Sequence, residues 1–211
     1  MSDDSRFHIM DHPLIRHKLT LLRKVTTTTR EFRQLAREIT HLIGYEATRQ
    51  MELRQVEIET PLMKMQGEFL QQEVCLVPIL RAGLGLVDAM LLLMPNASVG
   101  HIGLSRDPAT LVPVEYYCKV PPDLGNKLVI VLDPMLATGG SAVAAVSSLK
   151  ERGAKNIIMI NLLGVPEGVA AFGKAHPDVH VFLGSLDKCL NDRGYILPGL
   201  GDAGDRLFGT L

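Results

Sequence analysis

From residue 74 onward, short apolar runs alternate with amphipathic stretches, and this alternation limits the chain to very few architectures. The runs are VCLVPIL (74–80), ASVGHIGL (97–104), KLVIVL (127–132), NIIMINLL (156–163) and VHVFLGSL (179–186). Between them lie LGLVDAMLLLM (84–94), SAVAAVSSLKERG (141–153) and PEGVAAFGKAH (166–176). A strand that is apolar at nearly every position must have both faces covered. Strands of that kind joined by helices predict an α/β fold, a parallel sheet with helices on both sides. At 211 residues, 46% of them hydrophobic, the chain can bury one such core.

The N-terminal part reads as helical. Thr28 and Glu31 have the spacing of a capping box, and Phe32, Leu35, Ile39, Leu42 and Ile43 follow at helical intervals. The stretch from Pro13 reads as a shorter helix or an arm. Val56 and Ile58 alternate with Glu57 and Glu59 as in a half-exposed strand that ends at Pro61. The segment PVEYYCKVPPDLGNK (113–127) is too polar and Pro-rich for a crossover helix. It reads as a hairpin or protruding arm with turns at Pro-Pro and Leu-Gly-Asn. The tail NDRGYILPGLGDAGDRLFGTL (191–211) has no period, yet Tyr195, Ile196, Leu197 and Phe208 are too apolar for a disordered end. A functional segment is expected there.

Several function classes are disfavoured at once. The net charge of -1 gives no overall basic field for nucleic acid or a membrane surface. Apolar runs such as Leu91–Met94 are far too short to span a bilayer, and the acidic, polar start MSDDSRFHIM is no signal peptide. A cytoplasmic protein is expected. Cys75, Cys118 and Cys189 form no CxxC pair, and the histidines show no zinc spacing.

The chemistry concentrates in VIVLDPMLATGGSA (129–142). In an open parallel sheet, ligands bind beyond the carboxyl ends of the strands, and this strand delivers Asp133 to that edge. Ala137, Thr138, Gly139, Gly140 and Ser141 then shed bulk so that backbone N–H groups can approach a ligand. The helix that follows adds its unpaired N–H groups and positive dipole end, which together make a phosphate cradle. Each hydrogen bond to a charged oxygen there contributes roughly 1.5–3 kcal/mol. A tight turn with a serine cap is the plain alternative. The acid speaks against it, because beside a phosphate site a carboxylate fits sugar hydroxyls or a developing cation. No GxxxxGK[ST] occurs, and the partial dinucleotide pattern at Gly83-Leu-Gly85-Leu-Val-Asp88 has an acid where the third glycine belongs.

DPMLATGGS (133–141) resembles the phosphoribosyl-diphosphate (PRPP) motif of the type I phosphoribosyltransferase family. Most members carry two adjacent acids. Here Pro134 follows Asp133, and that departure resembles the family's uracil branch. VPILRAGLGL (77–86), GLSRD (103–107), YYCKVP (116–121) and YILPGLGDAGDRLFGT (195–210) extend the resemblance over essentially the whole chain. It implies a parallel sheet flanked by helices, with a protruding β-arm and a C-terminal base-binding hood. It also implies a single domain over 1–211: a helical segment to about 60, a core at about 70–187 and a uracil-binding segment at about 188–211.

The resemblance further implies transfer of phosphoribose from PRPP to uracil, giving UMP and diphosphate. PRPP would be held by Arg81, Arg106, Asp133, Pro134, Met135, Leu136, Ala137, Thr138, Gly139, Gly140, Ser141 and Asp202. Asp133, Arg106 and Asp202 would act in catalysis, with Asp202 taking the part of the missing second acid. Ile196, Gly201, Asp202 and Ala203 would hold uracil, largely through backbone groups. No protein metal cage is expected, and Mg2+ would arrive largely with PRPP. The arm YYCKVP is either a lid or a dimer contact. A homodimer or higher homo-oligomer is implied, and GTP is left open as an effector. An RNA-binding regulator would need a dense basic cluster, for which the best candidate is Arg23-Lys24 with Arg30 and Arg33. Orotate as the base would call for an added cation, with Lys188, Arg193 and Arg206 as candidates.

Overall fold

The computed structural model describes residues 6–106 and 113–210. The chain opens with β1 (Phe7–Ile9), α1 (Pro13–Arg23) and α2 (Thr29–Ala47), then β2 (Leu53–Glu59) and β3 (Lys64–Leu70). There follow β4 (Glu73–Leu80), α3 (Leu84–Leu93), β5 (Ser98–Val99), β6 (His101–Arg106) and β7 (Pro113–Lys119). A 3-10 turn at Leu124–Asn126 leads to β8 (Lys127–Leu132), β9 (Met135–Leu136), α4 (Gly140–Glu151) and β10 (Asn156–Gly164). The remainder is α5 (Pro166–Ala175), β11 (His180–Leu186), β12 (Cys189–Leu190), β13 (Ile196–Leu197) and α6 (Ala203–Phe208).

The main sheet has the order β1-β11-β10-β8-β4-β6-β7. Its neighbours are parallel except β6 and β7, which run antiparallel. The apolar strands divide their side chains between two faces, as a period of two requires. Leu128, Ile130 and Leu132 pack with Ile15, Leu19, Phe32, Ile39 and Leu86 of α1, α2 and α3. Val129 and Val131 pack with Ala145, Val146, Leu149 and Phe172 of α4 and α5. Helix α2 starts where its capping box sits. The Glu31 N–H donates to the Thr28 hydroxyl at 3.3 Å, and the Thr28 N–H donates to the Glu31 carboxylate at 2.9 Å. Such a cap contributes about 1 kcal/mol.

The structure departs from the sequence reading at particular places. The run 97–104 is not one strand. It breaks at Gly100, where a Cβ would lie 2.7 Å from Val120 Cγ1, and β5 and β6 pair separately with β4. The stretch Pro113–Lys119 is not a free-standing arm. It pairs with β6 as the edge of the main sheet. The hairpin that forms a separate two-stranded sheet is β2–β3, of which only the first strand was legible. That hairpin and its turn leave Leu53, Leu62, Met63, Met65, Phe69 and Leu70 exposed. Strand β1 was not anticipated, because it is short and gains its order by pairing with β11.

Candidate active site

Because β4, β6, β8 and β10 are parallel, their carboxyl ends share one edge of the sheet. Arg81 follows β4, Arg106 ends β6 and Asp133 follows β8. The turn after β4 is pressed against β8. A Cβ on Gly83 would stand 2.3 Å from the Leu132 carbonyl oxygen and 2.7 Å from the Ile79 backbone. Only glycine permits that approach, and it seats the Arg81 turn beside Asp133. The Leu80–Arg81 peptide bond is cis. Asp107, the last residue of the GLSRD stretch, lies outside the described residues.

Asp133 donates its backbone N–H to the Ile160 carbonyl at 3.2 Å, and its own carbonyl accepts from Asn161 Nδ2 at 2.7 Å. Its side chain is only partly exposed. Burial pushes its carboxyl up to about 7, against the hydrogen bond from the Met135 N–H, which lowers it. A carboxyl held near neutrality in a ligand edge is typical of groups used in chemistry.

The loop after Asp133 is built from small residues and leads directly into α4. Gly139 caps α4 with φ 81°, a left-handed conformation that favours glycine. Thr138 is exposed and Ser141 half-buried. The start of α5 crowds the loop from behind, since a Cβ on Gly168 would stand 2.4 Å from the Ala137 carbonyl oxygen. Pro134 and Leu136 are buried, and the Leu136 carbonyl accepts from the Val165 N–H at 3.2 Å. Their buried side chains support the loop from the core side.

The C-terminal segment crosses over this edge. Near one end, a Cβ on Gly194 would touch Thr138 Cγ2 at 3.9 Å. Farther along, a Cβ on Gly204 would lie 3.3 Å from Asp202 Oδ1 and 3.8 Å from Arg81 Nη2. Arg81 and Asp202 are therefore neighbours. Asp202 is exposed and caps α6, accepting from the Asp205 N–H at 2.9 Å. Arg81 reaches Asp205 at 3.5 Å and lies 5.9 Å from the Phe208 ring centre. Ile196 and Ala203 are buried, while Gly201 is exposed with φ 81°. Ile196 and Ala203 thus anchor the segment through their side chains.

Two anchors escaped the sequence reading. Asp187 accepts from Arg23 through both guanidinium nitrogens at 2.6 Å, from the Gly199 N–H at 3.0 Å and from the Ser185 hydroxyl at 3.2 Å. This clamp ties α1 to the C-terminal loop. Burial raises the Asp187 carboxyl, but these partners outweigh it and hold it below the usual range. Asp187 follows a strand end, as Asp133 does, which was the available signal. Asn161 was legible as a lone amide inside a buried run.

Two competing readings each lose part of their residue set. Arg23 is engaged by Asp187, and Arg33 donates to the Leu207 carbonyl at 2.5 Å. That leaves the basic cluster thinner than its sequence suggests. Arg206 is a brace, bonded to the carbonyls of Leu200 and Lys24 at 2.8 and 2.7 Å, with the Phe32 ring 4.5 Å away. It does not offer a free cation to an acidic base. A concavity of about 690 Å³ lies between α1, α2 and α3, lined by Lys18, Arg30, Arg37 and Leu92. Among the described residues no cluster of three or more His, Cys, Asp or Glu forms a metal cage. No helix there is long and apolar enough to cross a membrane.

This mostly parallel sheet flanked by helices has the phosphoribosyltransferase type of α/β fold. A hypoxanthine phosphoribosyltransferase from Staphylococcus aureus shares it at a TM-score of 0.52 and 15% identity, over 87% of this chain and 83% of that one. Within that class the chain belongs to the uracil phosphoribosyltransferase family, whose family model matches residues 9–210. A uracil phosphoribosyltransferase of Exiguobacterium sibiricum is 56% identical over 207 residues, covering 98% of this chain and 99% of the relative. The AQ2163 protein from Aquifex aeolicus superposes with a TM-score of 0.91 at 36% identity, over 96% of this chain and 97% of that one.

Proposed function

We propose that this chain transfers the 5-phosphoribosyl group of PRPP to N1 of uracil, producing UMP and diphosphate. The observation that carries the reading is the meeting of three segments at one sheet edge. The Arg81 turn packs on the end of β8 through Gly83, and the C-terminal segment lies against both Thr138 and Arg81. Family membership supports the same assignment.

In this reading the backbone of 137–141 and the start of α4 hold the 5′-phosphate. Arg81 and Arg106 neutralise the diphosphate that leaves. Asp133 receives the ribose hydroxyls and stabilises the positive charge that develops at C1′ as the bond to diphosphate breaks. Pro134 supplies no second acid, and Asp202, exposed beside Arg81, takes that place. The C-terminal segment binds uracil through Ile196, Gly201, Asp202 and Ala203. A fixed backbone N–H opposite the uracil O4 would reject the amino group of cytosine, since a mispaired buried donor is costly. The exposed carboxylate of Asp202 could receive an ion that comes with its own phosphate ligands. Magnesium bound to PRPP would neutralise diphosphate charge there.

The apolar side chains exposed on the β2–β3 hairpin suit contact with a second copy, consistent with a homo-oligomer. The test of the reaction is UMP formation from uracil, PRPP and magnesium, with cytosine, orotate and a purine base as controls. Conversion of uracil alone is expected. Equal rates with cytosine would overturn the base assignment, and no product from uracil would overturn the reaction.

A further inference from the structure

Asn161 interrupts the apolar run of β10 and is fully buried. Ile158, Ile160 and Leu162 pack on the α1–α3 side, and Ile157 and Met159 on the α4–α5 side. Alternation puts Asn161 on the latter face. In a regular parallel ladder the Leu162 N–H would bond the Asp133 carbonyl. It bonds the Pro134 carbonyl at 2.9 Å instead, and the Leu163 N–H takes the same acceptor at 3.0 Å. The Asp133 carbonyl is left with no strand donor. Asn161 Nδ2 fills that place at 2.7 Å, while the Asp133 N–H stays on the Ile160 carbonyl at 3.2 Å. Two consecutive residues of β10 thus pin both backbone groups of Asp133. Asn161 Oδ1 meanwhile has no partner among the described residues. A leucine at this position would leave the Asp133 carbonyl without a donor, and the amide meets that need even though its own oxygen finds no partner among the described residues, so the side chain is committed to Asp133 rather than to apolar packing.

We propose that Asn161 is a positioning residue. By holding the Asp133 carbonyl it orients the peptide after Asp133, and with it the direction in which the Asp133 carboxyl leaves the sheet. Asn161 acts through Asp133 and touches no substrate. The inference rests on the role given to Asp133 in the proposed reaction.

The test is a cycle of four enzymes: wild type, Asn161→Leu, Asp133→Asn and the double variant. Each is assayed for UMP formation and for melting temperature. Asn161→Leu is expected to lower kcat about tenfold while the KM for uracil stays within about twofold. In the Asp133→Asn background the same change should alter kcat by less than about twofold, because the group it positions is already lost. An equal loss in both backgrounds overturns the inference, and so does a lower melting temperature with an unchanged kcat. Asn161→Ser removes the amide without adding bulk. It is read by the same two comparisons and decides the matter alone if the leucine variant does not fold. A wild type that forms no UMP overturns the proposed reaction. An active wild type with an unaffected Asn161→Leu variant overturns this inference only.

Discussion

Arg23 holds Asp187 through two hydrogen bonds of 2.6 Å across 164 positions of sequence, and the same carboxylate accepts from the Gly199 N–H. The loop proposed to read uracil is therefore fastened to α1. We expect Arg23→Met to destabilise the fold by about 3 kcal/mol, because it leaves a buried carboxylate without its cation. It should also raise the KM for uracil. Arg23→Met with Asp187→Asn should be less destabilised than Arg23→Met alone. Urea denaturation of the variants measures this, and strictly additive losses would refute the coupling.

The same carboxylate sets an acid limit. The folded pKa of Asp187 is depressed, so its contribution to stability is present above its unfolded value near 3.8 and is lost as pH falls through the folded value. The melting temperature of the wild type should drop more steeply than that of Asp187→Asn below about pH 4. Parallel curves would remove Asp187 from the acid response.

Asp133 titrates in the opposite sense. Its folded pKa is raised to about 7 from 3.8. Relative to a neutral side chain it costs stability increasingly as pH rises from 3.8 to about 7, and the cost is constant above that. Asp133→Asn should therefore melt higher than wild type at pH 8, with the gap closing towards pH 4. Its kcat should fall by roughly 100-fold or more if the carboxyl stabilises the ribosyl cation. Thermal melts across pH and steady-state assays together check this. A variant that is active and no more stable would refute both parts.

Gly83→Ala asks whether the close approach of the Arg81 turn to β8 matters. Its Cβ would meet backbone atoms at 2.3 and 2.7 Å, which cannot yield as a flexible side chain would. We expect a loss of about 2–4 kcal/mol and a large drop in PRPP affinity as Arg81 moves. Unfolding curves and calorimetric titration of PRPP provide the measurement.

Gly139→Ala tests the cradle itself. At φ 81° a side chain is strained, and its Cβ would lie 3.1 Å from the Gly168 carbonyl oxygen. We expect a cost of about 1–3 kcal/mol and at least a tenfold weaker affinity for PRPP. The neighbouring Gly140 meets nothing closer than Pro113 at 3.4 Å, so Gly140→Ala should fold normally. Equal PRPP affinities for wild type and Gly139→Ala would overturn the cradle assignment.

Much of this fold could be read along the chain because the relevant signals are local. The runs at 74–80, 127–132, 156–163 and 179–186 each became a strand, since a segment buried on both faces must be apolar throughout. Thr28 and Glu31 marked the start of α2 within one turn. Asp133 and the glycines after it sit within nine residues, so their meeting at a strand end followed from chain order alone. The edge strand at 113–119 was misplaced because its polar, alternating pattern is shared by any half-exposed strand, and only its pairing with β6 tells where it lies.

Local pattern thus determined most of the helices, the parallel core strands and the small-residue loop after Asp133, because periodicity and backbone freedom act over a few residues. Folding in space decided that Arg81 adjoins Asp202, that Gly194 lies over Thr138, and that Asn161 and Arg23 hold the acids they serve. Those relations join residues from distant parts of the chain. A lone arginine, amide or glycine has the same local appearance whether or not its partner exists, and only the packed chain brings the partner close.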